Sequence, residues 1–238
     1  MYFSITMNLK FILPLSLVTL AFAGYHRSEI DNKPAPGFEI KFEEVTIGNA
    51  RWAASNWTWT RFANGDDIPE ARNGAEWKAA YTAKKPVWCH YKFDKANDSL
   101  YGKLYNWYAV SDARGFAPKG WRVPSEADFT RMAQSQGALN KKLKSKSGWG
   151  DPFDWSGDSY DGDNSSGFNA FPGGSVEYGA AVFSQQYFEG HWWIADPAPD
   201  SKGNLIFVIT AKGANPLIKQ ADPASGQSVR LVRNVQVR

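Results

Sequence analysis

The sequence predicts an α+β fold, in which a small frame of helices and antiparallel strands carries long irregular loops. Runs of two-residue period open and close the chain, runs of helical spacing occupy its middle, and 21 Gly and 13 Pro interrupt the remainder. The opening strand is FEIKFEEVTIG, Phe38–Gly48, where Phe38, Ile40 and Phe42 alternate with polar neighbours before the phase shifts to Val45 and Ile47, as at a bulge or bend. Residues 50–72 mix Trp52, Trp57 and Trp59 with Asn64-Gly65-Asp66-Asp67 and read as a loop anchored by aromatics. Ala75–Ala83 reads as a short helix ended by Lys84-Lys85-Pro86. A further helix is expected in YGKLYNWYAVSDA, where Leu104, Trp107, Tyr108 and Ser111 recur at helical spacing. The next starts behind Pro124, with Ser125 and Asp128 in a capping arrangement, Phe129 and Met132 facing inward and Gly137 as the stop. Gly148–Gly174 follows neither period and reads as a long loop tethered by Trp149, Phe153, Trp155, Phe168 and Phe171. YFEGHWWIA, NLIFVIT and SVRLVRNVQV return to strands, the last expected to lie beside the first.

Composition narrows the class. Hydrophobic residues make up 43% and charged residues 21%, an ordinary globular mixture that can bury a core. The net charge of +3 is too small and too dispersed for nucleic acid. Lys141, Lys142, Lys144 and Lys146 cluster, but a lysine run without interleaved aromatics reads as a solvated helix face. Aromatic residues reach 15%, with 11 Trp, enough either to build a core on a turn-rich frame or to offer stacking platforms.

The N-terminus reads as an export signal: Met-Asn-Leu-Lys, then FILPLSLVTLAFA, ending small-x-small at Ala21-Phe22-Ala23. The apolar run is too short for a comfortable membrane span, and Pro14 interrupts it. Residues 1–23 are therefore expected to be cleaved, 24–37 to form a linker, and 38–238 to form a single domain. The expected location is outside the cytoplasm of a bacterium: secreted, periplasmic or associated with the cell surface. The solitary Cys89 allows no internal disulfide, and in the apolar strand-like run Pro-Val-Trp-Cys-His-Tyr it reads as a buried inert thiol.

Several segments taken together resemble the Fibrobacter succinogenes major paralogous domain family: TIGNARW (46–52), YGKLYNWYAV (101–110), APKGWRVPSEADF (117–129), LKSKSGW (143–149), SGFNAFPGG (166–174), HWWIA (191–195) and SVRLVRN (228–234). WRVPSEADF and SVRLVRN are in turn similar to the helix-opening and closing-strand signatures of the formylglycine-generating-enzyme group. The resemblance implies a C-type-lectin-like fold with two main helices, small antiparallel sheets, long irregular loops and adjacent terminal strands. It implies no activity.

No catalytic motif stands out. Paired cysteines are absent, His26, His90 and His191 are scattered, and no serine elbow, phosphate loop or zinc spacing occurs. A non-enzymatic role is expected, with a glycan-active hydrolase as the third reading, since no pair of carboxylates can be singled out. In DSYDGDNSS, Asp158, Asp161 and Asp163 supply hard oxygen atoms suited to calcium, yet the loop departs from the EF-hand pattern, with Pro172 where the twelfth-position glutamate would stand. No other cofactor is implied. The candidate ligand-binding residues are Trp155, Tyr160, Tyr187, Phe188, His191 and Trp192. Trp192 and Trp193 alternate along a strand, so one of them is expected in the core. These residues would hold an extracellular glycan or protein; the alternative is a structural or surface-assembly protein in which the same rings only pack.

Overall fold

The computed structural model describes residues 42–235 apart from 154, 155, 157, 178, 180, 201 and 202. The export signal, the linker and residues 38–41 of the opening strand lie outside the described residues. The chain begins as a hairpin of β1 (Glu44–Ile47) and β2 (Ala50–Ala53), with Ile47 opposite Ala50. Gly48 and Asn49 form the connection, and Gly48 sits at φ 62, a left-handed backbone that glycine adopts without strain. The expected bend after Phe42 is thus followed by a reversal, and β2 takes residues that read as loop. Its side chains mix a buried Trp52 with an exposed Arg51, which gives no run long enough to show a period.

Helix α1 (Gly74–Ala83) matches the expected short helix. Asn73 caps it by accepting from the Glu76 amide at 3.0 Å, and Lys84 closes it in a left-handed conformation. Strand β3 (Trp88–Cys89) is followed by two 3₁₀ turns and the short helix α2 (Asp98–Tyr101). The helix expected across Tyr101–Ser111 divides into β4 (Leu104–Asn106) and the single turn α3 (Trp107–Val110). Pairing outweighs helical spacing here, because β4 hydrogen-bonds to β3 on one side and to β10 (Gly226–Gln227) on the other. Asn106 then caps α3 through the Ala109 amide, 3.0 Å, while accepting from Val87 N at 3.1 Å.

Helix α4 (Glu126–Ser135) has the predicted cap. Ser125 Oγ accepts from the Asp128 amide, the Asp128 carboxylate accepts from the Ser125 amide, and Phe129 and Met132 are buried. Helix α5 (Asn140–Leu143) leads into a correction of the lysine run: Lys144 is only 4% exposed. Its ammonium donates to the Tyr160 and Ala211 carbonyls at 3.0 and 2.5 Å and lies 4.9 Å from the Trp149 ring centroid.

Strands β5 (Gly173–Val176), β6 (Phe183–Gln186), β7 (Glu189–Pro197), β8 (Asn204–Thr210) and β9 (Leu217–Ala221) follow, and β11 (Val232–Asn234) ends the described chain. Of the closing run SVRLVRNVQV only Val232–Asn234 forms a strand among the described residues, and β10, in the other sheet, directly precedes the run. Among the described residues β1, β2 and β11 form one sheet, so the first and last strands both pair with β2. A second sheet of eight strands runs β3-β4-β10-β5-β7-β8-β9, with β6 beside β5. Its pairings are antiparallel except the single β5–β7 contact, Gly174 opposite Gly190. Helices and antiparallel sheets in separate stretches make this an α+β protein, although the larger sheet exceeds the small ones expected.

Both faces of the large sheet are covered. Trp192, Ile194, Phe207 and Ile209 pack with Trp52, Phe129, Met132 and Phe168. Trp193, Ile206 and Val208 pack with Trp57, Trp88, Tyr105 and Leu231. A fully buried phenyl ring such as Phe129, which stacks on Phe207 at 4.4 Å, contributes about 1.5–3 kcal/mol by removal from water.

Candidate functional site

Three loops bring sequence-distant aromatics to one surface. Tyr187 and Phe188 form the link between β6 and β7; Tyr187 holds φ 72, and its amide donates to Pro172 O at 3.0 Å. Its carbonyl accepts from the Gly150 amide at 2.7 Å, which ties the long loop to this link. Gly150 in turn lies against Tyr160: a Cβ there would stand 2.6 Å from Tyr160 Cδ2, and φ is 99, so glycine is required twice over. On the other side the Phe188 carbonyl accepts from the Ala211 amide at 2.7 Å, joining the β8–β9 turn, whose Lys212 ammonium stands 5.4 Å from the Tyr160 ring centroid. Tyr160 and Tyr187 are half-buried and Phe188 is exposed, so each keeps part of its surface accessible.

His191 lies apart from these rings, on the face of β7 that it shares with Trp193, whereas Tyr160 packs on the Trp192 face. His191 is buried, with Nε2 2.6 Å from Glu189 Oε2 and Nδ1 3.2 Å from Gln227 Oε1. Gln227 Nε2 donates to Ser225 Oγ at 2.9 Å, which orients the amide oxygen toward the ring. Lys219 completes the group, 3.3 Å from both Glu189 oxygens. The hydrogen bond from His191 lowers the Glu189 pKa against the opposing effect of burial, and the charges of His191 and Lys219 act the same way.

The structure places Trp192 elsewhere. It has no exposed surface: its ring packs on Phe168 at 5.6 Å, and Nε1 donates to Asn56 Oδ1 at 2.8 Å. Trp193, on the opposite face, is equally buried and donates to Tyr105 O at 2.7 Å. The core position expected for one of the pair is taken by both, because the sheet has two covered faces, and Trp192 is withdrawn from the stacking set. Trp155 lies outside the described residues. The carboxylates of the acidic loop have partners within the long loop: Asp161 Oδ1 accepts from Trp149 N at 2.9 Å and Asp163 Oδ1 from Ser165 N at 2.8 Å, while Asp158 stands 3.5 Å from the Tyr160 hydroxyl. Among the described residues no three His, Cys, Asp or Glu side chains converge as a metal-holding group.

Two polar groups escaped the reading of the sequence. Arg230, 1% exposed, donates Nη1 to Ala53 O and Phe168 O at 3.0 and 2.7 Å and Nη2 to Asn56 Oδ1 at 2.8 Å, with Cζ 4.4 Å from the Phe168 centroid. Asn56 thus joins Arg230 to Trp192. The second group surrounds His90, whose Nδ1 is 2.5 Å from Asp98 Oδ1 and whose Nε2 is 3.3 Å from Glu70 Oε1; Lys103 pairs with Asp98 and lies 4.6 Å from the Trp88 centroid. The two described histidines are therefore each held by carboxylates of their own. Cys89 beside this cluster is fully buried, and burial, with the Asp98 and Glu70 charges, pushes its thiol well up, as an inert cysteine requires.

Comparison with known proteins places these features in a wider group. The profile described as Fibrobacter succinogenes major domain matches residues 45–233, which spans both sheets and every helix described above. No curated protein and no solved structure matches the chain.

Proposed function

The chain belongs to the Fibrobacter succinogenes major domain family, and from that premise we propose that it is an exported, non-enzymatic binding module of C-type-lectin-like architecture. Its ligand is an extracellular glycan or protein held on the loop surface of Tyr160, Tyr187 and Phe188. The observation that carries this reading is the convergence of three loops, locked by the Gly150–Tyr187 and Phe188–Ala211 hydrogen bonds, beside rings that keep part of their surface accessible. Rigid aromatics with a charge beside them, here Lys212 at Tyr160, supply stacking area at low entropic cost and a polar edge. The alternative, a structural or surface-assembly protein, draws on the depth at which Trp192 and Trp193 are used for packing.

A glycan array and a pull-down from extracellular material, run on residues 24–238, test the reading. Selective binding that falls about tenfold or more in Tyr187→Ala and Phe188→Ser, with the melting midpoint unchanged, is the expected result. Equal binding by both variants, or no selective binding at all, would assign the rings to packing.

A further inference from the structure

Strand β9 ends the eight-stranded sheet, and among the described residues no strand pairs with its outer side. All of its pairing is with β8, from Val208 opposite Leu217 to Asn204 opposite Ala221. Such an edge presents a row of backbone donors and acceptors at the spacing of another extended polypeptide, which neither a sugar nor a membrane reproduces. Sheets that stay single protect their edges with charge, bulges or proline. Here protection is missing along the strand itself. Leu217 and Ile218 are 45% and 39% exposed and point to opposite faces, Gln220 is neutral, and Pro216 and Pro223 stand outside the strand at either end.

One charge remains, and it is drawn away. The Lys219 ammonium reaches back across β8 to Glu189 on β7, 3.3 Å from each carboxylate oxygen. Its ammonium is thereby paired over the protein's own sheet rather than left at the rim.

We propose that the open edge of β9 is a self-association surface, on which β9 of a second copy pairs antiparallel about a two-fold axis through Lys219. This occupant is favoured by self-complementarity. The axis sets Leu217 opposite Ala221 and Ile218 opposite Gln220 of the second copy, all apolar or neutral, and the two central ammonium groups are each retracted to a Glu189. Neither flanking proline enters the pairing. An isologous contact of this kind closes at two copies and joins two eight-stranded sheets into one. A strand of five residues buries little area, so the dimer is weak and reversible.

Sedimentation velocity of residues 24–238, from about 1 μM to about 1 mM, reads this directly. The expected result is a sedimentation coefficient that climbs toward the dimer value with concentration. Ile218→Lys and Gln220→Lys, both at exposed positions, should each raise the dissociation constant about tenfold or more while leaving the melting midpoint in place. Glu189→Gln, which releases the Lys219 ammonium to the rim, should weaken association most at low salt. A monomer throughout the range overturns the proposal and leaves the edge to a foreign strand. Association that survives both lysine variants overturns it too, by placing the interface elsewhere.

Discussion

At Asp128 a nearly buried carboxylate is shared by three partners: the Ser125 amide at 2.8 Å, the Arg131 guanidinium at 2.8 Å and the Arg122 guanidinium. Burial opposes its charge, but the hydrogen bonds from Arg122 and Ser125 outweigh burial and hold the carboxyl well below the usual carboxylate range. A carboxyl depressed in the folded state stabilises above its unfolded pKa of about 3.9, and that stabilisation is lost as pH falls toward the folded value. Melting between about pH 6 and pH 2.5 should therefore show a steep acid-side loss that is shallower in Asp128→Asn; parallel curves would contradict it. This cap was legible in the sequence because Ser125 and Asp128 are three positions apart and interact within one turn. Trp192 was not, because its surroundings include Asn56, 136 positions away.

Among the elements, the long loop shows how a turn-rich segment is secured. Lys144 ties Tyr160 to the β8–β9 turn, and Trp149 Nε1 donates to Ser145 Oγ and Ala170 O at 3.1 and 3.0 Å. The tethering role read for Trp149 and Phe168 holds, since both are buried, whereas Phe153 is 77% exposed and tethers nothing. Lys144 looked solvated because charge alone was visible, without the carbonyls that the fold brings to it. Burial pushes its ammonium down to about 8. A lysine with a lowered folded pKa holds its proton less tightly than the unfolded chain, so stability gains as pH rises from about 8 toward 10.4. The melting difference between the native protein and Lys144→Met should shift in favour of the native protein across that window. A pH-independent difference would show that the ammonium is not desolvated. Strand β9 escaped detection for a related reason, because a solvated edge has no buried face to impose a period.

On the scale of the whole molecule, closure was legible and its mechanism was not. Repeated polar-apolar runs at both ends indicated adjacent terminal strands, and β2 does join β1 to β11, with Trp52 opposite both Val45 and Val232. The bond that locks this arrangement is Arg230, whose acceptors are Ala53, Asn56 and Phe168. Deleting residues 229–238 removes the guanidinium, β11 and the buried Val229, Leu231 and Val232 together. Circular dichroism should then show no cooperative melting transition; a transition near that of the full chain would show that the terminal segment is dispensable. Ala53 and Asn56 leave the ribosome early, and the side chain that satisfies them follows 177 and 174 positions later. A nascent polypeptide wired in this way cannot lock until Arg230 has emerged, so Ala53 and Asn56 wait unsatisfied while the intervening chain is made.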